Sequence, residues 1–241
     1  MKSVFVLQHI DSEDLGAMEP YFQHLGVAVQ YQRPLVTGKV AKSGVNSDGL
    51  ILLGGGAWGT TGSETHERTT LPTLDQELRF TYDHMKRNRP IVAMGLGSQI
   101  ACIAAGGGSE KSSPAFEVGT ARRVNSTSFG ACLPETFPYA MFMRDRPVLP
   151  EDGVVHAVDE QDRPLVFSIG RDVLCFTCHP GYSAFMLNKV IDEVKGDRRE
   201  MAPALSGVRQ FELTFAENLA EIMSGISDFA NWLPEPEPES V

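Results

Sequence analysis

Three short stretches of this 241-residue sequence hold residues whose types and spacing suit chemistry, and each follows an apolar run. The first is Leu53-Gly54-Gly55-Gly56-Ala57-Trp58. Consecutive glycines after a buried strand let backbone N–H groups turn toward a ligand with no Cβ in the way. The same stretch also reads as a plain flexible turn. The second is Ala93-Met94-Gly95-Leu96-Gly97-Ser98-Gln99. Strand, tight turn, then helix is the layout of a nucleophile elbow, which lifts one side chain above a sheet while the next N–H helps to hold an oxyanion. The lifted position is Gly95, which has no side chain. Gly95-Leu96-Gly97 ahead of a helix would also suit a phosphate. However, residue 100 is Ile, where a dinucleotide fingerprint has its third glycine. The third stretch is Cys175-Phe176-Thr177-Cys178-His179-Pro180-Gly181, which sets a His at a strand end. Its Cys-x-x-Cys suggests redox or zinc chemistry. Residues three apart on a strand face opposite sides, and no second pair exists, so no metal is expected.

These stretches need elements to position them, and the apolar periodicity supplies candidates. Val4 to Leu7 reads as a buried parallel strand, ended by Gln8-His9. Leu15, Met18, Phe22 and Leu25 lie at helical spacing within 14–25, and Gly26 follows as a C-cap would. Strands are expected at 27–31, 48–53 and 90–94, with helices at 74–85 and 100–105. Strands alternating with helices predict an α/β fold around a central, mostly parallel sheet. Residues 114–178 hold shorter runs at 153–158, 165–169 and 173–178. These read as antiparallel strands near the sheet edge or as a return into the main sheet. Helices are expected at 183–195 and 209–232. One domain is expected over 1–233, and the Pro-Glu repeats of 234–241 read as a disordered acidic tail.

Composition narrows the function classes. Lys and Arg number 21 against 31 Asp and Glu, a net charge of −10, and the basic residues do not cluster beyond pairs such as Arg122-Arg123. Phosphate binding needs clustered cations, so nucleic acid is not expected as a partner. The apolar runs are too short to span a membrane. The opening residues read as a first strand and not as a signal peptide. Four cysteines with no dense framework suit free thiols, and a cytoplasmic location is the expectation.

Taken in order along the chain, the segments resemble the class I glutamine amidotransferase family, in its stand-alone, GMP-synthase-like branch. Val4-Phe5-Val6-Leu7-Gln8-His9 looks like the family's first strand, and Asp48 through Gly56 like the strand leading to Gly-Gly-Pro, with Gly56 in place of Pro. Pro90 through Gly107 is similar to the Pro-x-x-Gly-x-Cys-x-Gly-x-Gln elbow and its helix, with Ala93 for the first Gly and Gly95 for the Cys. Leu149 through Gly153 and Val173 through Pro180 resemble the run into the His-Pro-Glu motif, whose Glu is Gly181 here.

The resemblance implies a three-layer, flavodoxin-like fold and a chemistry in which a Cys thiolate attacks a glutamine or γ-glutamyl amide. His moves the proton and Glu orients His. By position, His179 remains while Gly95 and Gly181 leave the nucleophile and orienting-acid positions vacant. Gly55, Gly56 and Leu96 would form the oxyanion hole, and Gln99 would support the substrate pocket. No cofactor is implied. Ser98, in the first helical turn, should point away from His179, and a buried Cys102 would be inert. The implied partners are a glutamine or γ-glutamyl small molecule and a synthetase protein. Two function classes follow: an enzyme of γ-glutamyl amides, or a pseudoenzyme acting as a binding or regulatory subunit. The vacant elbow is further expected to bind a carboxylate-bearing metabolite, and Gly95→Cys joined with Gly181→Glu to raise hydrolysis.

Overall fold

The computed structural model describes residues 2–41, 46–61, 70–194 and 198–232. The tail at 234–241 therefore lies outside the described residues. Unbroken apolar runs become strands buried on both faces: β1 (Ser3–Leu7), β3 (Gly49–Leu52) and β4 (Ile91–Met94), with β2 (Ala28–Gln32) at the edge. The remaining strands are β5 (Gly108–Glu110), β6 (Ala115–Arg123), β7 (Thr136–Met143), β8 (Arg146–Val148), β9 (Gly153–Val158), β10 (Pro164–Ile169) and β11 (Val173–Phe176).

Among the described residues a nine-stranded sheet runs β2-β1-β3-β4-β11-β10-β9-β6-β7, and β5 pairs with β8 apart from it. The half from β2 to β11 is parallel, and the half from β11 to β7 is antiparallel. Of the two placements open for 173–178, the return into the main sheet is the one found. Phe176 lies opposite Met94, and the Gly95 N–H donates to the Phe176 carbonyl at 2.9 Å. That register brings the stretches around Gly95 and His179 off neighbouring strand ends, where open α/β sheets take their ligands.

The helices are α1 (Glu19–His24), α2 (Pro34–Thr37), α3 (Leu74–Met85), α4 (Leu96–Ala104), α5 (Ala184–Glu193), α6 (Arg198–Gln210) and α7 (Glu212–Phe229). The helix expected over 14–25 is shorter than its apolar spacing suggests. Gly16 takes φ +54°, Gly16–Met18 forms a 3-10 turn, and α1 starts with Pro20 in its first turn. Helix α4 begins earlier than residue 100, directly at the elbow. Helix α6 holds Pro203, a residue that argues against a helix in a sequence reading.

Alternate residues of β1 enter two cores, which gives the sheet its two covered faces. Val4 and Val6 pack with Phe22 of α1 and Leu219, Ile222 and Ile226 of α7. Phe5 and Leu7 pack with Phe80 of α3 and Leu96 and Ile100 of α4. The result is a three-layer α/β fold with a parallel half that carries the site.

Candidate functional site

Position 95 has the backbone of an elbow. Gly95 is the N-cap of α4 with φ +51° and ψ −119°, a combination that ordinary side chains adopt only under strain. A Cβ built on it would stand 3.2 Å from the Gly54 Cα, a tight contact that a shift of a few tenths of an ångström relieves. The Leu96 N–H opens the helix and has no intrahelical acceptor. The Leu96 side chain lies on Gly55, close enough that residue 55 can carry no Cβ. Strand end and helix start thus interlock through glycine.

The Gly54–Gly56 turn is occupied by the chain itself. The Gly56 N–H, expected to face a substrate oxyanion, donates instead to Glu13 Oε2 at 2.8 Å. Tyr182 donates its hydroxyl proton to Glu13 Oε1 at 2.8 Å. A Cβ on Gly54 would stand 2.7 and 2.8 Å from the two carboxylate oxygens, so the turn's first glycine makes way for this side chain. Glu13 is 2% exposed. Burial raises its carboxyl to about 7, with a further push from Glu193; Tyr182, Gly56 and His9 pull the other way.

Behind the turn, His9 Nδ1 lies 3.1 Å from the Leu53 carbonyl and 3.0 Å from that of Gly54. Its Nε2 lies 2.7 Å from Glu77 Oε2, and Glu77 Oε1 accepts from the Thr73 hydroxyl at 2.6 Å. Nδ1 faces carbonyls and Nε2 faces a carboxylate, an arrangement that favours the doubly protonated imidazolium. Burial works against that charge, but the Glu77 carboxylate and the Gly54 carbonyl outweigh it and hold the His9 pKa above its ordinary value.

His179 stands at the end of β11, beside the elbow strand, with both ring nitrogens engaged by backbone. The Gly181 N–H donates to Nδ1 at 3.1 Å. Nε2 must then carry the proton and donates to the Asp14 carbonyl at 2.8 Å. Burial lowers the pKa of this neutral ring. The expectation of a His free to move a proton at position 95 is therefore corrected by this arrangement: neither nitrogen is open to it. Tyr182 packs edge-on against the imidazole with ring centroids 5.2 Å apart, which links His179 to the Glu13 carboxylate.

Position 181 is closed to any side chain. A Cβ there would stand 2.6 Å from the Leu15 carbonyl and 2.9 Å from Met18 Cγ. The expectation that Gly181→Glu would rebuild an orienting acid fails on that contact. Gln99, expected to support the substrate pocket, is hydrogen-bonded within the fold. Its Nε2 donates to the Arg144 carbonyl at 2.6 Å, and its Oε1 accepts from the Thr60 hydroxyl at 3.0 Å. Gln99 fastens the loop at 60–61 to the end of β7, where the buried Asp145 accepts the N–H groups of Thr60 and Thr61.

The substitutes for a missing nucleophile are engaged elsewhere. The Ser98 hydroxyl donates to the Gly95 carbonyl at 2.6 Å. Cys102 is wholly buried, and burial pushes its thiol up to about 12. Cys175 and Cys178 are free thiols, and burial raises both.

Glu13, His9 and Glu77 escaped the sequence reading. Glu13 lies in Asp11-Ser12-Glu13-Asp14, a run that looks like a solvated helix start, and only the fold reveals one buried acid between an exposed Asp11 and a half-buried Asp14. In the Gly54-Gly55-Gly56 turn, expected to face a substrate, the Gly56 N–H is taken by Glu13.

The fold agrees with known structures. A glutamine amidotransferase from Thermotoga maritima superposes with a TM-score of 0.77 at 18% identity, covering 95% of this chain and 98% of its own. A glutamine amido transferase from Methylobacillus flagellatus gives 0.79 at 16% identity, covering 100% and 99%. The glutaminase domain of a Trypanosoma brucei CTPS, with bound acivicin, gives 0.57 at 12% identity, covering 99% and 97%. No protein-family model and no curated protein sequence matches the chain. The chain has the class I glutamine amidotransferase fold. Among the described residues no helix is long and apolar enough to cross a membrane.

Proposed function

We propose that this chain is a non-catalytic protein on the glutamine amidotransferase fold, acting as a binding or regulatory subunit and not as a thiol-dependent glutaminase. The observation that carries this reading is the replacement of the reacting groups by packing. The nucleophile position is Gly95, the orienting-acid position is a backbone contact at Gly181, and the oxyanion turn holds Glu13. A nucleophile and a base must meet within hydrogen-bond reach, and among the described residues no such pair stands at the elbow. The proposed partners are a synthetase-type protein docked on this fold and a glutamine or γ-glutamyl small molecule. The strained backbone at Gly95 supports γ-glutamyl amide chemistry as the use for which the site's framework was shaped.

A glutaminase assay on the purified protein tests the reading. Glutamate release should not exceed the background of a buffer control. Sustained turnover that Ser98→Ala or Cys102→Ala abolishes would overturn it and identify the nucleophile.

A further inference from the structure

A buried carboxylate is costly unless it is hydrogen-bonded and electrostatically compensated. Glu13 finds its hydrogen bonds at one place, the strand-end turn at which a ligand of this fold class would sit, although burial still outweighs its partners. Its oxygens take one backbone donor from Gly56 and one hydroxyl donor from Tyr182. The His9 imidazolium lies behind the same turn, held by Glu77. Gly54 gives up its Cβ volume to the carboxylate, and Ile10, Val194 and Phe142 surround Gly56, each within 3.4 Å of where its Cβ would stand. Two donors, a nearby cation and an apolar wall make a receptor for one small carboxylate.

We propose that the Gly54–Gly56 turn, Tyr182 and His9 form a carboxylate site whose built-in occupant is Glu13, so that the chain closes its own site against external carboxylates. The occupant comes from the segment between β1 and α1, which is also the segment that seats the Asp14 carbonyl on His179. Leu15 and Ala17 of that segment press on Gly181. Closing the turn and fixing His179 are therefore acts of one piece of chain. The external ligand that fits is a small monocarboxylate or the carboxylate end of a glutamyl compound.

The proposal rests on reading this turn as a ligand site of the fold, but not on the absence of glutaminase activity, and its test is separate. Glu13→Ala removes the occupant and leaves the donors. Thermal melting of this variant near neutral pH, in sodium acetate against sodium chloride at equal ionic strength, should show a saturable rise in Tm of about 3 °C. The intact protein and Glu13→Gln, which keep the space filled, should not respond. A glutamate titration decides whether the longer acid also enters. A folded Glu13→Ala that ignores both acids, or an intact protein that responds as the variant does, overturns the proposal.

If Glu13→Ala does not fold, amide NMR on the intact protein decides the matter. The Gly56 amide resonance should follow the ionisation of Glu13 and stay fixed as acetate is added. A Gly56 amide that is indifferent to pH, or that moves with acetate, refutes the built-in occupant. Glutamate release bears only on the proposed function, and the acetate response bears only on this site.

Discussion

The backbone of Gly181 lies directly against that of Ala17, whose N–H donates to the Gly181 carbonyl at 3.1 Å. Gly16 takes part in the same contact: with φ +54°, its own Cβ would fall 2.5 Å from that carbonyl. Two glycines distant in sequence thus let two backbone segments touch. The contact holds the 3-10 turn Gly16–Met18 where an orienting side chain would otherwise need space. It also places the Asp14 carbonyl to accept the His179 Nε2 proton.

Gly181→Ala should therefore destabilise the protein, although alanine is the smallest possible addition. Its Cβ meets the Leu15 carbonyl at 2.6 Å and the Ala17 nitrogen at 3.2 Å, both of them backbone atoms that cannot rotate away. Overpacking of this kind costs about 1–3 kcal/mol. The urea midpoint should fall while the slope of the transition is unchanged. Gly181→Glu should fall at least as far and restore no hydrolysis. An unchanged midpoint for Gly181→Ala would mean that the two segments move apart freely.

Gly95→Cys should fold, because among the described residues its Cβ crowds a single atom, the Gly54 Cα at 3.2 Å, which need move by only a few tenths of an ångström. The cost is conformational: a non-glycine residue at φ +51° and ψ −119° carries about 1–3 kcal/mol of strain. The new thiol should not hydrolyse glutamine, since the two His179 nitrogens are held by Gly181 and Asp14. Denaturation together with a glutamate-release assay checks both halves. Turnover by Gly95→Cys alone would show that His179 leaves its backbone partners with ease.

The strand ends at Gly54 and Gly95 were legible because glycine after an apolar run leaves a clear mark on sequence. The return of β11 beside β4 was one of two readings, since a short apolar run does not reveal its neighbours. Strands β6 and β7 did not stand out: β6 mixes Glu117, Gly119, Thr120 and two arginines into its pairing with β7. Helix α6 was hidden by Pro203. At the site, sequence order located the vacant positions but not what fills them. Glu13 becomes a ligand of Gly56 only through a contact 43 residues away in the chain, and no local pattern encodes it. Gly181 looked like a lost acid, whereas its backbone is a packing surface.

Glu77→Gln should be among the more damaging conservative changes in the protein. His9 and Glu77 side chains are both 0% exposed, and their contact is 2.7 Å. Removing one charge of a buried pair costs about 3–5 kcal/mol, because the remaining imidazolium is left without compensation. The folded pKa of His9 lies above its ordinary value, so its contribution is full below about 6.5, the unfolded value, and fades as pH rises through the folded one. The stability gap between the intact protein and Glu77→Gln should accordingly narrow in alkaline solution. Urea unfolding at a series of pH values measures that gap, and a gap independent of pH would place the His9 charge elsewhere.

Glu13→Gln should change the pH dependence of stability in the opposite sense to the usual carboxylate. The carboxyl is raised from 4.5 to about 7 in the folded protein, so between those values the folded chain binds the proton and the unfolded chain releases it. Stability linked to Glu13 is thus present below about 4.5 and lost as pH rises to 7. The total loss is of the order of 3 kcal/mol. The groups facing this carboxyl are Tyr182 before α5, Glu193 on α5, and His9 at the end of β1 with Glu77 of α3 behind it. None of these need change when Gln replaces Glu, and the Gln carbonyl can still accept the Gly56 N–H. The side-chain amide would face the Tyr182 hydroxyl, which can rotate to accept in place of donating. Relative to Glu13→Gln, the intact protein should therefore lose stability steadily from pH 5 to pH 8 in urea unfolding. Parallel curves for the two proteins across that range would show that Glu13 ionises in the fold as it does in the unfolded chain. The carboxylate would then lie in water and not on the Gly56 N–H.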